Sequence, residues 1–290
     1  MSILSKLKVL GLAAIVGVFA SGTASAAFLT NWQFNADGTG YNQSTSTNVT
    51  SYFDIIGNSF IVNTPTGNPN VYSFNDWGTF VVSAHDGGFN NINFSGTNQQ
   101  ASAVFHGTGS VTLGGDLTFN AGAAGDYLDF YVNNSVTYGT STGAYGADQG
   151  TLIGSFQVYS GTGSVDTTGI PNGQLTLAFV PTSLQAGYFF DDNGVDLSTM
   201  VGQVPPILFG FVTTNASSLA DNELSAAQRQ GIIANLAGYQ SNTTINPPGT
   251  IFVSNNGQYR WVVPEPGTVF LLGAGLVGLA VAGRRSRKVS

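Results

Sequence analysis

In the run "DYLDFYVN", Leu128, Phe130 and Val132 alternate with Tyr127, Asp129 and Tyr131, and this two-residue period constrains the fold more than any other feature. A strand sends successive side chains to opposite faces, so such a run buries one face and leaves the other to water. "QLTLAFV" repeats the pattern with Leu175, Leu177 and Phe179, and "SVTLGGDLTFN" gives Val111 and Leu113, a Gly-Gly turn, then Leu117 and Phe119. "TLIGSFQVYS" and "SYFDIIGNSFIV" are similar runs, while "TPTGNPN", "SGTGS" and "IPNG" read as the hairpin loops between strands. Many short strands with frequent turns predict an all-β body, a β-sandwich or jelly roll. No fixed repeat marks a solenoid.

One segment departs from the pattern. In "SSLADNELSAAQRQGIIANLAGY", Ser218 stands three residues before Asp221 as a cap, and Gly238 is a stop. Leu224, Gln228, Ile232 and Leu236 fall on one line of a helix, so a single surface α-helix is expected near residues 220–237.

The two ends carry their own signals. Lys6 and Lys8 precede an apolar core, Val9 to Ala20, and Ala24-Ser25-Ala26 supplies the small residues that a signal peptidase needs. Residues 1–26 therefore read as a secretory signal helix, cut between Ala26 and Ala27. At the other end Thr268 to Ala282 is uncharged and apolar and is followed by Arg284, Arg285, Arg287 and Lys288. This predicts a transmembrane helix over 268–282 with its basic tail held in the cytoplasm. Fifteen residues rise about 23 Å, less than a roughly 30 Å hydrocarbon layer, which suits a temporary stop better than a lasting anchor. The G-x-G-x-x-G at Gly273 to Gly278 has no room for a dinucleotide fold after it.

Pro264-Glu265-Pro266 precedes the apolar run, and its prolines hold that stretch extended. Pro-Glu-Pro, a short Gly-rich apolar segment and a terminal Arg cluster together resemble the PEP-CTERM sorting signal of exported proteins in Gram-negative bacteria that make exopolysaccharide. The resemblance covers residues 263–288. It implies an exosortase, an intramembrane cysteine transpeptidase, that recognises the tail and removes it. The expected course is an inner-membrane-tethered precursor, then release to the cell surface or extracellular matrix. The body over 27–262 is also similar in its phrasing to flocculation-associated members of that group.

Without its ends the body holds two basic residues, Arg229 and Arg260, against fourteen acids, a net charge of −12. Such a surface will not grip nucleic acid. Its Asn, Thr, Ser, Gln and Gly suit a hydroxyl-rich partner such as extracellular polysaccharide. Cysteine is absent, and a body of this size buries a sufficient core without disulfides.

Candidate chemistry is sparse, and no enzyme is expected. Gly139-Thr140-Ser141-Thr142-Gly143 matches G-x-S-x-G, but both histidines, His85 and His106, precede it, so it reads as a hairpin loop. His85-Asp86 looks like turn chemistry, and two histidines fall short of a His₃ zinc site. Asp191, Asn193 and Asp196, with Asp192, form an oxygen-rich turn around Gly194 and are the candidate calcium ligands; no other cofactor is expected. The alternative reading is a secreted polysaccharide-acting hydrolase or a carbohydrate-binding protein; glycoside hydrolysis needs paired carboxylates across a cleft, and the one Glu ahead of the sorting triplet is Glu223. Trp32, Trp77, Trp261, Tyr127 and Tyr131 are the aromatic candidates for stacking on sugar rings.

Overall fold

The chain leaves the segment Ala26–Phe28 (β1) and makes two short strands, Trp32–Phe34 (β2) and Thr47–Val49 (β3), before its long strands begin. These are Phe53–Pro65 (β4), Val71–His85 (β5), Gln100–Thr112 (β6), Asp116–Phe119 (β7), Tyr127–Asn133 (β8), Thr151–Asp166 (β9) and Asn172–Leu184 (β10). Phe189–Phe190 (β11), a 3-10 turn at Leu197–Met200, Leu208–Ser218 (β12) and Thr250–Pro264 (β13) complete the order. The structure is a computed structural model, and it describes residues 26–87, 91–94, 99–133, 135, 137–140, 142–166, 172–218 and 250–264.

Each long strand pairs antiparallel with the next. β7 and β8 both lie between β6 and β9, so they form one stave in two pieces. β13 then pairs with β4, Tyr259 opposite Phe53 and Asn255 opposite Gly57, and the sheet closes on itself. The result is an eight-staved antiparallel barrel, which corrects the expected sandwich or jelly roll. Alternation reports that one face of a strand is buried, and it reads alike whether the sheet faces a second sheet or curls around its own lumen. The deciding contact joins strands almost 200 residues apart, beyond the reach of any local pattern.

The surface helix expected over 220–237, the signal helix and the transmembrane helix over 268–282 fall outside the described residues. No helix among the described residues is long and apolar enough to cross a membrane.

Inward positions are filled with rings. Phe53, Phe130, Phe156, Phe209, Tyr259 and Trp261 are fully buried, with Phe209 stacked on Tyr259 at 4.9 Å and Phe130 edge-on to both at about 6 Å. An eight-staved barrel leaves a lumen just wide enough for side chains, so large residues must face small ones. Glycine supplies the small partner. A methyl group on Gly109 would meet the Thr118 carbonyl oxygen and the Phe74 ring, and one on Gly161 would meet Leu177 and Phe119. This corrects a second reading: "SGTGS" is not a hairpin loop but the middle of the sixteen-residue β9. Gly161 is there because the lumen has no space for more, and a methyl group on Gly163 would meet the Gln174 carbonyl oxygen of the neighbouring strand.

β2, β3 and β11 make a separate three-stranded sheet at one end of the barrel. Its rings continue the core: Trp32 packs edge-on to Phe53 at 4.7 Å, and Phe189 lies 5.5 Å from Trp261. Residues Phe28–Val262 form one compact unit. The chain enters and leaves this unit side by side, with the Leu29 amide donating to the Trp261 carbonyl at 3.0 Å.

Candidate functional site

On the outer wall, register alone assembles a row of rings. Phe60 pairs with Trp77, Trp77 with His106, and His106 with Tyr127, so four neighbouring staves each give one ring at the same level. Centroid separations along the row are 6.1, 5.1 and 6.1 Å. Phe60 is buried, whereas Trp77, His106 and Tyr127 are partly exposed. His106 is fixed from below: its Nδ1 lies 2.8 Å from the Gly125 carbonyl oxygen and 3.7 Å from the Asp126 carboxylate. Asp126 is itself buried and accepts from the Thr108 amide and hydroxyl, both at 2.9 Å.

Polar side chains flank the row. On one side Asn75 pairs with Thr108, whose hydroxyl accepts from the Asn120 amide at 3.1 Å. On the other side the β8–β9 connection folds over the wall. Its Tyr138 hydroxyl donates to the Thr79 carbonyl at 2.9 Å, and Ala144 and Ala147 pack on Val104. Tyr127 and Tyr131 border this covered region with two carboxylates nearby. Burial first, then Asp129 and Asp148, raise the Tyr127 phenol above its ordinary range and push Tyr131 up to about 12. Burial also raises the carboxyl of Asp129, partly offset by a hydrogen bond with Ser155.

The other aromatic candidates sort differently. Trp32 and Trp261 are fully buried and belong to the core, so neither presents a ring to a ligand. Sequence reasoning found Trp77 and Tyr127 but missed His106. The missing signal was the cross-strand register that places an imidazole between two larger rings. It also missed Asp76, whose parity with Phe74, Gly78 and Phe80 points a carboxylate inward.

The candidate calcium turn is occupied by its own backbone. Asp191 Oδ1 accepts from the amides of Asn193 at 2.9 Å and Val195 at 2.8 Å. Asp196 accepts from the Gly187 amide at 2.7 Å and the Ser198 amide at 2.9 Å, capping the 3-10 turn. Asn193 donates its side-chain amide to Asp192 at 2.8 Å. Among the described residues no three His, Cys, Asp or Glu side chains gather closely enough to hold a metal ion. These carboxylates serve as turn acceptors. Titrating calcium to millimolar concentration should therefore leave the melting temperature unchanged; a rise of several degrees would assign the loop to the ion after all.

Asp86 shows the same economy of structure. It takes a positive φ of 52° and accepts from the amides of Thr50, Ser51 and Tyr52 at 2.7, 2.7 and 3.2 Å. Burial alone would raise its pKa, but His85 at 2.8 Å and these three amides together hold it below the usual carboxylate range. The pair pins the β5 exit to the start of β4. Gly139 and Gly143 of the G-x-S-x-G lie in the β8–β9 connection, both with positive φ, and Thr142 accepts from the Gly146 amide there. Ser141 and Glu223 are outside the described residues.

The last stave leads directly into the sorting segment. Val262 still pairs with Leu208, and Pro264 ends β13. Ala26 and Ala27, at the expected signal cut, lie in β1; Ala24, Glu265, Pro266, Arg284 and Arg285 lie outside the described residues. Comparison with protein families matches residues 262–288 to the PEP-CTERM protein-sorting motif. Comparisons with curated proteins and with solved structures gave no match. The chain therefore carries a PEP-CTERM protein-sorting motif, which supports an exported, cell-surface-directed protein sorted by exosortase through its C-terminal segment.

Proposed function

We propose that this protein is a structural or adhesive component of the extracellular matrix, associated with exopolysaccharide and acting in flocs or biofilm without catalysis. The single observation that supports this reading is the join between a sorting motif and a solid barrel. Among the described residues the inward positions of the barrel hold rings, so a partner would meet its walls and rims. The precursor waits at the inner membrane on its C-terminal segment, and exosortase passes the barrel to the cell surface. The low count of basic groups keeps the product away from nucleic acid and suits it to a hydroxyl-rich surrounding.

The test is genetic. Cells lacking the gene, and cells making a chain that ends at Pro264, should both flocculate less than the parent strain. Unchanged flocculation and biofilm in the deletion strain would end the matrix reading.

A further inference from the structure

We propose that the outer-wall row Trp77, His106 and Tyr127 is a binding strip for a neutral polysaccharide. The apolar faces of its pyranose rings stack on the aromatic row, and its hydroxyls bond to the amides of Asn75 and Asn120. The proposal rests on the matrix reading above and names the partner and the site.

Three features of the wall carry it. First, the rings come from three adjacent staves at one level, so they form a track across the strands and not an isolated aromatic. A linear polymer needs such a repeated contact, because each stacked ring contributes little alone. Second, the track is held in place. His106 is braced against the Gly125 carbonyl and the buried Asp126, and Tyr127 sits against the packed β8–β9 connection. Rings already fixed before binding lose little conformational freedom on contact. Third, the flanking groups are amides, hydroxyls and carboxylates. Neutral sugar hydroxyls find donors and acceptors there. A uronate polymer would meet Asp129, Asp148 and a body carrying −12. Charge therefore selects the neutral class.

The experiment uses the full chain in detergent, run by affinity electrophoresis through gels containing hydroxyethylcellulose, dextran, polygalacturonate or no polymer. Retardation is expected with a neutral polymer and not with polygalacturonate. Trp77→Ala and Tyr127→Leu should each weaken the interaction roughly three- to tenfold, the range for loss of one aromatic contact, while Trp77→Phe keeps most of it. Thermal melting of every variant separates lost binding from lost folding. No retardation by either neutral polymer would overturn the proposal, as would equal retardation of a well-folded Tyr127→Leu chain. Stronger retardation by polygalacturonate would overturn the neutral assignment. The two readings fail separately. If the deletion strain loses flocculation but the Tyr127→Leu strain keeps it, the strip falls and the matrix role stands; if the deletion strain is normal, the role itself falls.

Discussion

Replacing Asp76 with asparagine raises the melting temperature at pH 8 by on the order of 10 °C and leaves it nearly unchanged at pH 4. Asp76 is buried inside the barrel on β5, and burial pushes its carboxyl from 3.8 up to about 7, offset in part by the Ser59 hydroxyl. Ser59 in turn accepts from Asn255 at 2.8 Å, so the contact spans β5, β4 and β13, across the seam where the barrel closes. The residues facing Asp76 on the neighbouring staves are Ile61 and Gly107, with Phe74 and Gly78 beside it, and none of them titrates. Among the described residues Asp76 Oδ1 has no hydrogen-bond partner, as expected where a proton and not a counter-charge neutralises the group.

The direction follows from linkage. Between about pH 4 and pH 7 the folded chain keeps a proton on Asp76 that the unfolded chain releases, so stability falls as pH rises through this window. A difference of about three units corresponds to about 4 kcal/mol once the carboxyl is ionised. For a body of this size each kcal/mol moves the melting temperature by about 2–4 °C. Asp86, whose pKa is depressed, acts with the opposite sign: its contribution is present above the ordinary carboxylate range and is lost as the solution becomes more acid. Comparing wild type and Asp76→Asn across pH 4 to 9 cancels Asp86 and leaves Asp76. Parallel melting curves across that range would show that the carboxyl is not the group responsible.

Truncating Trp261 to alanine should cost about 3–5 kcal/mol, a large share of the roughly 5–15 kcal/mol that holds a typical domain together. Its ring is fully buried and lies 4.8 Å from Phe209, 5.5 Å from Phe189 and 6.0 Å from Phe156. The residue therefore ties the closing stave to the opposite wall and to the small end sheet at once. Urea unfolding measures the effect as a lower midpoint at constant slope. Trp261→Phe should recover more than half of the loss. A cost under about 1 kcal/mol would mean that the seam is held by its backbone ladder alone.

Individual strands were legible in the sequence, and the way they assemble was not. Leu128, Phe130 and Val132 face inward as their alternation requires, with Tyr127, Asp129 and Tyr131 outside. "SGTGS" misled because glycine is ambiguous: the same residue that permits a tight turn also makes room for a phenyl ring on the next strand. Closure was hidden because the pairing of Tyr259 with Phe53 depends on the twist and length of every stave between them. The site was half visible. Trp77 and Tyr127 were candidates as aromatic residues among polar ones, but Trp261 looked much the same and proved to be core. Only register distinguishes an inward ring from an outward one, and register is a property of two strands. The Asp191 to Asp196 turn shows a related ambiguity, since oxygens grouped in sequence also accept from nearby amides.

The closing stave has a further consequence for how the protein bears load. Traction on the C-terminal segment is traction along β13, which is hydrogen-bonded to β12 on one side and to β4 on the other. Those bonds run perpendicular to the strand, so a pull along its axis shears both ladders together instead of unzipping them one rung at a time. A precursor held by its C-terminal segment and drawn outward would meet that resistance first, before any ring left the lumen.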